Sequence, residues 1–490
     1  MNPLWALLPP LAVVPFILWF GEARRNLREG AIIVAGLVLL LVNGAIYDAT
    51  VAGEALESGE FVLLGGFALK LSVEPMGVLF ALLASFLWVV TTVYSIGYMR
   101  GHHETHQTRF YTCFAIALAA VMAAAYSANL LTLFVAYEAL TLSTFPLVTH
   151  AGTEEAKRGG RVYLGILLAT SIGLLLPAIV WTASVAGTLD FVPGGVLGGT
   201  GLGGGTLALL LALFTFGIGK AAVMPLHRWL PAAMVAPTPV SALLHAVAVV
   251  KTGVFSILKI VTYTFGIDTV AGSGAATWLL PFAAFTVVAA SVVAFTKDNL
   301  KARLAYSTVG QLSYIVLAAL LATTMSVTGG ALHIVMHAFA KITLFFCAGA
   351  VLVAAHKSLI SELDGLGRRM PLTMGAFFVG TLGIIGLPPA GGLWSKMLIV
   401  GGSFDTDTLF WAGVLVISTL MNIAYLLPIP MRAFLRPYPG LAAGERVAWA
   451  EAPTPSLWAI MLTATATVGL FFYPGPLVEL LGLIRWRAES

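Results

Sequence analysis

Apolar runs of about 20 residues, the length a helix needs to cross a bilayer, follow one another along almost the whole chain. Little of comparable size separates them, so this chain has few ways to fold in water. Hydrophobic residues make up 59% of the 490 and charged residues only 10%, against about 25% charged in soluble domains. The short alternating segments of a porin-like barrel are absent. The sequence therefore predicts an all-α polytopic membrane protein, with residues 1–490 forming a single membrane domain and no soluble module. Fourteen transmembrane helices are expected: 3–20, 31–48, 75–98, 110–126, 128–149, 160–186, 206–229, 239–263, 276–296, 302–322, 328–355, 372–402, 406–431 and 454–481. The N-terminal MNPLWALLPPLAVVPFILWF lacks a basic leader and a small-residue cleavage site, and reads as the first helix. Residues 49–72, with the alternating FVLLGGFALKLSV, read as a small hairpin outside the bilayer. The Gly-rich 185–205 reads as a loop.

Cationic loops set the expected orientation. Loops after odd-numbered spans hold 18 of the 26 Lys and Arg, from Arg24, Arg25 and Arg28 through Arg432, Arg436 and Arg446. The opposite side holds Lys70, Lys259, Arg485 and Arg487. This places the loops after odd spans in the cytoplasm and both termini outside it, in the inner (plasma) membrane of a prokaryote. The net charge of +4 is scattered through short loops and implies no nucleic-acid partner. The two cysteines, Cys113 and Cys347, lie in different apolar segments without a CxxC or four-Cys set. An iron–sulfur cluster or zinc ribbon is thereby excluded, and no cofactor is expected.

Four lysines fall inside apolar spans: Lys220, Lys251, Lys341 and Lys396. A cation at mid-bilayer costs roughly 3 kcal/mol even on the lenient insertion scale, so each marks a functional site if a partner exists. The carboxylate nearest the middle of a span is Glu138, in FVAYEALTLSTFPLV, and it is the expected partner of Lys220. An ion pair in low dielectric holds both groups charged, and separating them pushes each towards neutrality. Helices 7, 8 and 12 are expected to be broken. Gly217 and Gly219 precede Lys220, Gly253 follows Lys251, and Pro388–Pro389 precede Lys396. Proline removes a backbone donor, and freed backbone groups at membrane depth persist only where they line protein or water. Broken helices in two halves suggest inverted repeats with a site at each break.

In HIVMHAFAKITLFF, His333, His337 and Lys341 recur every four residues, on one helical face about 12 Å long. Histidine exchanges protons near neutral pH, so the stripe reads as a proton file. Zinc is the alternative for HxxxH, but the HExxH base is absent and the third member is a cation. A bis-His haem would need a second pair. His245 and Lys251 are six residues apart and do not share a face of a straight helix; a break near Gly253 would realign them. Lys396 has a competing reading as a residue reaching for the interface. GHHETHQT, with His102, His103, Glu104 and His106, reads as a solvated loop.

Taken together, LTLFVAYEALTLSTFPL, GKAAVMPLHRWLPAAMVAPTPVSALLHAVAVVKTGV, KDNLKARLAYSTVGQLSYI, HIVMHAFAKITLFF and GLPPAGGLWSKMLIV resemble the antiporter-like family shared by complex I, membrane-bound hydrogenases and Mrp cation/proton antiporters. The resemblance covers spans 5 to 12. It implies two inverted five-helix repeats, 110–263 and 276–431. By the same resemblance Glu138 and Lys220 match the essential Glu–Lys pair, and His245 and Lys251 the connecting residues of the eighth span. His333, His337 and Lys341 match the eleventh span, and Lys396 the terminal Lys of the output half-channel. The chain stops soon after span 14, so the lateral helix of the largest complex I subunit is not expected. Length and Lys251 resemble most the D subunit of Mrp antiporters. That implies a proton-translocating subunit working with other membrane subunits, within the lipid bilayer, on protons and sodium or potassium. The resemblance also leaves open a redox-driven complex, a partner in inorganic-carbon uptake, and a non-conducting scaffold. A scaffold gains nothing from keeping so many buried charges.

Overall fold

The computed structural model describes residues 2–62, 68–406, 409–439 and 448–486. Arg446 and Arg487, counted above for orientation, lie outside them. The chain opens with α1 (Leu8–Phe20) and α2 (Arg25–Val51). Strands β1 (Phe61–Val62) and β2 (Ala68–Leu69) pair antiparallel, Phe61 opposite Leu69 and Val62 opposite Ala68, so the expected hairpin is present. Then follow α3 (Pro75–Gly101), α4 (Gln107–Ala125), α5 (Leu130–Val148), α6 (Glu154–Thr170), α7 (Leu176–Ala186) and α8 (Gly204–Gly217). A π turn, Ser171–Leu175, joins α6 to α7. The stretch after α8 holds α9 (Trp229–Ala232) and α10 (Thr238–Ala242), and π turns flank α11 (Val249–Ile260). The second half comprises α12 (Ile267–Ser273), α13 (Leu280–Phe295), α14 (Leu300–Leu321), α15 (Thr324–Ala355), α16 (Pro371–Ile385), α17 (Gly392–Phe404), α18 (Phe410–Leu426) and α19 (Pro428–Leu435). It ends with α20 (Thr454–Phe472) and α21 (Gly475–Gly482).

Among the described residues eleven helices are long and apolar enough to cross a membrane. Three of the fourteen expected spans are represented by shorter apolar helices, Gly204–Gly217, Leu280–Phe295 and Pro371–Ile385. Two of these end at the breaks foreseen after Gly217 and before Lys396. The third expected break is displaced. Residues Thr238–Phe265 form one run that passes Gly253 without interruption, and the irregularity nearest Lys251 is the π turn Leu243–Val247, with Ala248 at φ −114° and ψ −73°.

The layering inverts the usual relation between polarity and burial. The most deeply enclosed long run, Thr238–Phe265, carries His245, Lys251 and Lys259, all fully buried. At the rim α1 and α2 turn Trp19 and Leu41 outward, each about three-quarters exposed, as helices facing lipid or a partner do. The 32-residue α15 packs against α14, α16, α17 and α20. Its N-terminus is fixed by a capping box, Thr323 and Ser326 bonding each other's backbone.

Candidate functional site

The break after α8 places Lys220. The chain leaves the helix at Ile218, makes a 3₁₀ turn Gly219–Ala221, and reverses at Ala222, whose φ is +56°. Backbone groups freed at such depth need partners, and other elements supply three of them. Tyr137 Oη accepts from Lys220 N at 3.1 Å, and Trp229 Nε1 donates to Gly219 O at 2.9 Å. Met224 N donates to Thr286 Oγ1 at 3.1 Å. Gly253 lets this turn lie directly on α11: a Cβ there would stand 2.5 Å from Ala221 N and from the Lys220 carbonyl carbon. Gly253 thus serves close packing; it does not break the helix and does not realign His245 with Lys251.

Lys220 Nζ donates to Tyr137 O at 2.8 Å and to Thr141 Oγ1 at 2.5 Å, and sits 3.1 Å from the Tyr137 ring centroid. Such a desolvated cation–π contact is worth about 2 kcal/mol. The expected Glu138–Lys220 ion pair is not formed among the described residues. Glu138 is the next residue of α5 and projects about 100° around it, and its Oε1 is buried without a hydrogen-bond partner. Lys220 is thus held by Tyr137 and Thr141, the residues on either side of Glu138's position on α5.

A second break, at residues 386–391, places Lys396. Helix α16 ends at Gly386 with φ +85°, a conformation that favours glycine. The lysine stem crosses that position so closely that a Cβ would stand 3.0 Å from Lys396 Cδ. Lys396 Nζ donates to Ile384 O at 2.8 Å and Ile385 O at 3.0 Å, two carbonyls orphaned by the helix end. It lies 4.9 Å from the Tyr314 ring. Lys396 is 7% exposed, so it is anchored inside and does not reach for an interface. Both breaks thus end in a buried lysine held by carbonyl oxygen and a tyrosine face.

Between the breaks runs a chain of close contacts. Lys251 Nζ lies 2.6 Å from His337 Nδ1. The His337 and His333 rings stack with centroids 5.8 Å apart. His333 Nδ1 lies 2.8 Å from Ser395 Oγ, and its Nε2 lies 3.1 Å from Gln311 Oε1. Ser395 neighbours Lys396, and Tyr314 stacks on His333 at 5.9 Å. Lys251, His337, His333 and Ser395 touch in that order and link α11, α15 and α17 in one file, and Lys396 follows Ser395 in the chain. Every side chain in it is buried.

Two of the sequence candidates stand beside this file. Lys341 turns to Ser307 Oγ at 2.8 Å and Leu304 O at 3.5 Å, so the His333–His337–Lys341 stripe shares a face while its lysine bonds to α14. His245 sits in the π turn, its ring 4.7 Å from Phe345. Neither of its buried nitrogens has a hydrogen-bond partner among the described residues. The sequence reading missed Tyr137, Thr141, Gln311, Tyr314 and Ser395, which are ordinary helix residues until neighbours define them. Their only signal was membership of the quoted motifs. It also counted Lys259, near the end of span 239–263, among the cations of the opposite side, whereas Lys259 is fully buried in α11 beside Glu74. Among the described residues no three His, Cys, Asp or Glu side chains gather as metal ligands.

Residues 127–422, more than half of the chain, match the family model described as NADH:quinone oxidoreductase/Mrp antiporter, TM. NADH-quinone oxidoreductase subunit N of Desulforudis audaxviator (strain MP104C) is 30% identical over 487 residues, covering 94% of this chain and 95% of that one. NAD(P)H-quinone oxidoreductase chain 5 of Synechocystis sp. is 28% identical over 417 residues, or 80% of this chain; the match spans 59% of that longer relative. In fold the chain is similar to one in the Mrp complex from Dietzia sp. DQ12-45-1b, with a TM-score of 0.82 and 19% identity over 98% of this chain and 95% of that one. It is also similar to a chain of the membrane-bound sulfane sulfur reductase, an archaeal respiratory membrane complex, with a TM-score of 0.80 and 22% identity over 98% and 96%. The broken helices, the buried lysines and these matches lead to one conclusion: this chain belongs to the NADH:quinone oxidoreductase/Mrp antiporter transmembrane family.

Proposed function

We propose that this chain is a proton-translocating subunit of a multisubunit Mrp-type monovalent cation/proton antiporter. The observation that carries the reading is the buried file from Lys251 through His337, His333 and Ser395 to Lys396, strung between two broken helices. Each member can hold or pass a proton: lysine as ammonium or amine, histidine through its two ring nitrogens, serine as donor and acceptor at once. A proton taken up near Lys220 moves to Lys251, crosses to His337 and His333, and leaves through Ser395 and Lys396. Glu138 sets the proton affinity of Lys220 by approach and withdrawal, the carboxylate favouring ammonium when near. Lys341 and His245 bias the file electrostatically from its side.

This reading includes fourteen crossings, with the three shorter apolar helices completing the eleven long ones. It includes two inverted five-helix repeats at 110–263 and 276–431. Each repeat contributes one broken helix with a carbonyl-bound lysine, which supports that division. Loops after odd spans face the cytoplasm of a prokaryotic cell, and both termini face out. A redox-driven complex is the second reading, favoured by the near end-to-end match to a quinone oxidoreductase subunit N. Vesicles bearing the assembled complex separate the two: a sodium or potassium gradient drives proton movement in the first, a quinone reductant in the second. Glu138→Ala and Lys220→Ala are each expected to abolish proton movement while the assembly stays intact. Near-normal movement in either variant would overturn the mechanism.

A further inference from the structure

On the face that carries the β1–β2 hairpin, a cavity of about 470 Å³ opens between α3, α11 and the loop around Phe191. Glu74, the residue before α3, lines it together with Glu54, Glu57 and Tyr263. Behind Glu74 lies Lys259, whose side chain is 1% exposed while that of Glu74 is 18% exposed. Lys259 Nζ is 3.3 Å from Glu74 Oε1 and donates to Ala125 O, at the C-terminal end of α4, at 3.5 Å. The rings of Phe191 and Phe255 close around it at 4.9 and 5.4 Å. Tyr263 Oη donates to Glu74 Oε2 at 2.7 Å and fixes the carboxylate at the cavity wall. A lysine so enclosed, paired with a carboxylate that faces water, is more than a loop cation.

Lys259 stands on the helix that holds Lys251, eight residues away, or about 12 Å of helical rise. Thr252, Ser256, Lys259 and Tyr263 fall within one narrow stripe of that helix, about 60° wide at 100° per residue. Thr252 Oγ1 donates to Ala248 O and Ser256 Oγ donates to Thr252 O, so both hydroxyl oxygens keep accepting capacity towards the space beside the helix. The stripe leads from the cavity as far as Thr252, the residue that follows the lysine touching His337.

We infer that Glu74 and Lys259 form a second proton portal, joining the hairpin-side cavity to the file at Lys251. The portal rests on the proposed function above and adds to it a site outside the Glu138, Lys220 and Lys396 set. Glu74 takes a proton from hydronium in the cavity, leaving water. Protonated Glu74 gives that proton to the Lys259 amine, and the ammonium so formed releases it along the hydroxyl stripe. The reverse sequence carries protons out.

Lys259→Arg tests the portal. Arginine keeps the charge and the pair with Glu74, but its guanidinium does not give up a proton. In vesicles of the complex assembled with its native partners, Lys259→Arg is expected to lower proton movement at least tenfold with normal assembly. Wild-type movement in Lys259→Arg would show that the pair is a clamp and would overturn the portal. Glu74→Cys, in a background lacking Cys113 and Cys347, is expected to react with a membrane-impermeant thiol reagent from the hairpin side, and failure to react overturns it equally. Lys220→Ala in the same vesicles tells the two ideas apart: loss there with full movement in Lys259→Arg refutes the portal alone, while full movement in Lys220→Ala refutes the parent reading.

Discussion

Gly253→Ala isolates the packing that holds Lys220 in place. The added Cβ would stand 2.5 Å from Ala221 N and the Lys220 carbonyl carbon and 2.8 Å from Lys220 Cβ, where ordinary contact begins near 3.4 Å. Two of the three neighbours are backbone atoms, which cannot swing aside as a side chain does. The 3₁₀ turn must therefore move by roughly 1 Å, a misplacement that costs about a hundredfold in rate where reacting groups are concerned. Overpacking of this kind destabilises by about 1–3 kcal/mol. The same shift strains the bonds from Lys220 Nζ to Tyr137 O and Thr141 Oγ1, charge-assisted bonds worth about 1.5–3 kcal/mol each. Proton flux through vesicles and thermal denaturation of the purified protein read the two effects separately. The expected outcome is a flux reduced at least tenfold and a lower midpoint. Gly375→Ala is the control: its Cβ meets nothing within 4 Å, so flux should hold and stability rise by up to about 1 kcal/mol. A Gly253→Ala protein with wild-type flux and midpoint would refute the argument that this turn is seated on α11.

Ser395→Ala removes the hydroxyl that meets His333, next in sequence to Lys396. It should leave the fold intact, at a cost of about 1–3 kcal/mol for the unpaired imidazole nitrogen, and cut proton flux severely, with Ser395→Thr restoring part of it. Away from the file, Arg432, by its side-chain hydrogen bond, and then Arg436 hold the Asp364 carboxyl below the usual aspartate range. A depressed carboxylate contributes stability above its unfolded pKa and loses it as pH falls through the folded value. Asp364→Asn should therefore lower the thermal midpoint at neutral pH, through a stability loss of at most about 1 kcal/mol for a pair at the surface. The difference from wild type should fade under acid.

Much of this architecture was legible because hydrocarbon leaves few choices. A helix length, a glycine before a lysine, and a Pro-Pro pair before another lysine each have one cheap explanation in a bilayer. The breaks at Gly217 and at Pro388–Pro389 stand where their sequences put them. Gly253 shows the limit of that logic: a small residue beside a buried lysine signals either a break or a close approach, and only the neighbouring element decides. Lys259 shows another, because a lysine near a predicted span end reads as a loop cation until Glu74, 185 positions earlier, is seen against it. Glu138 and Lys220 are paired in the sequence by their opposite charges and by the family resemblance. The structure seats Lys220 on Tyr137 O and Thr141, since a helix displays adjacent residues about 100° apart and the lysine reaches one direction at a time. The order of the file was equally hidden. Histidines four apart share a face, but which groups dock on them depends on α11 and α17, remote in sequence.

In the proposed function, protons cross from one broken helix to the other through the His337 imidazole. His337→Gln retains a polar side chain facing Lys251 but offers an amide that does not titrate. Proton flux through vesicles of the intact complex, normalised to the amount of assembled subunit, measures the consequence. The account predicts a flux below one tenth of wild type with unchanged assembly. Flux at the wild-type level would contradict it, because the path would then run elsewhere.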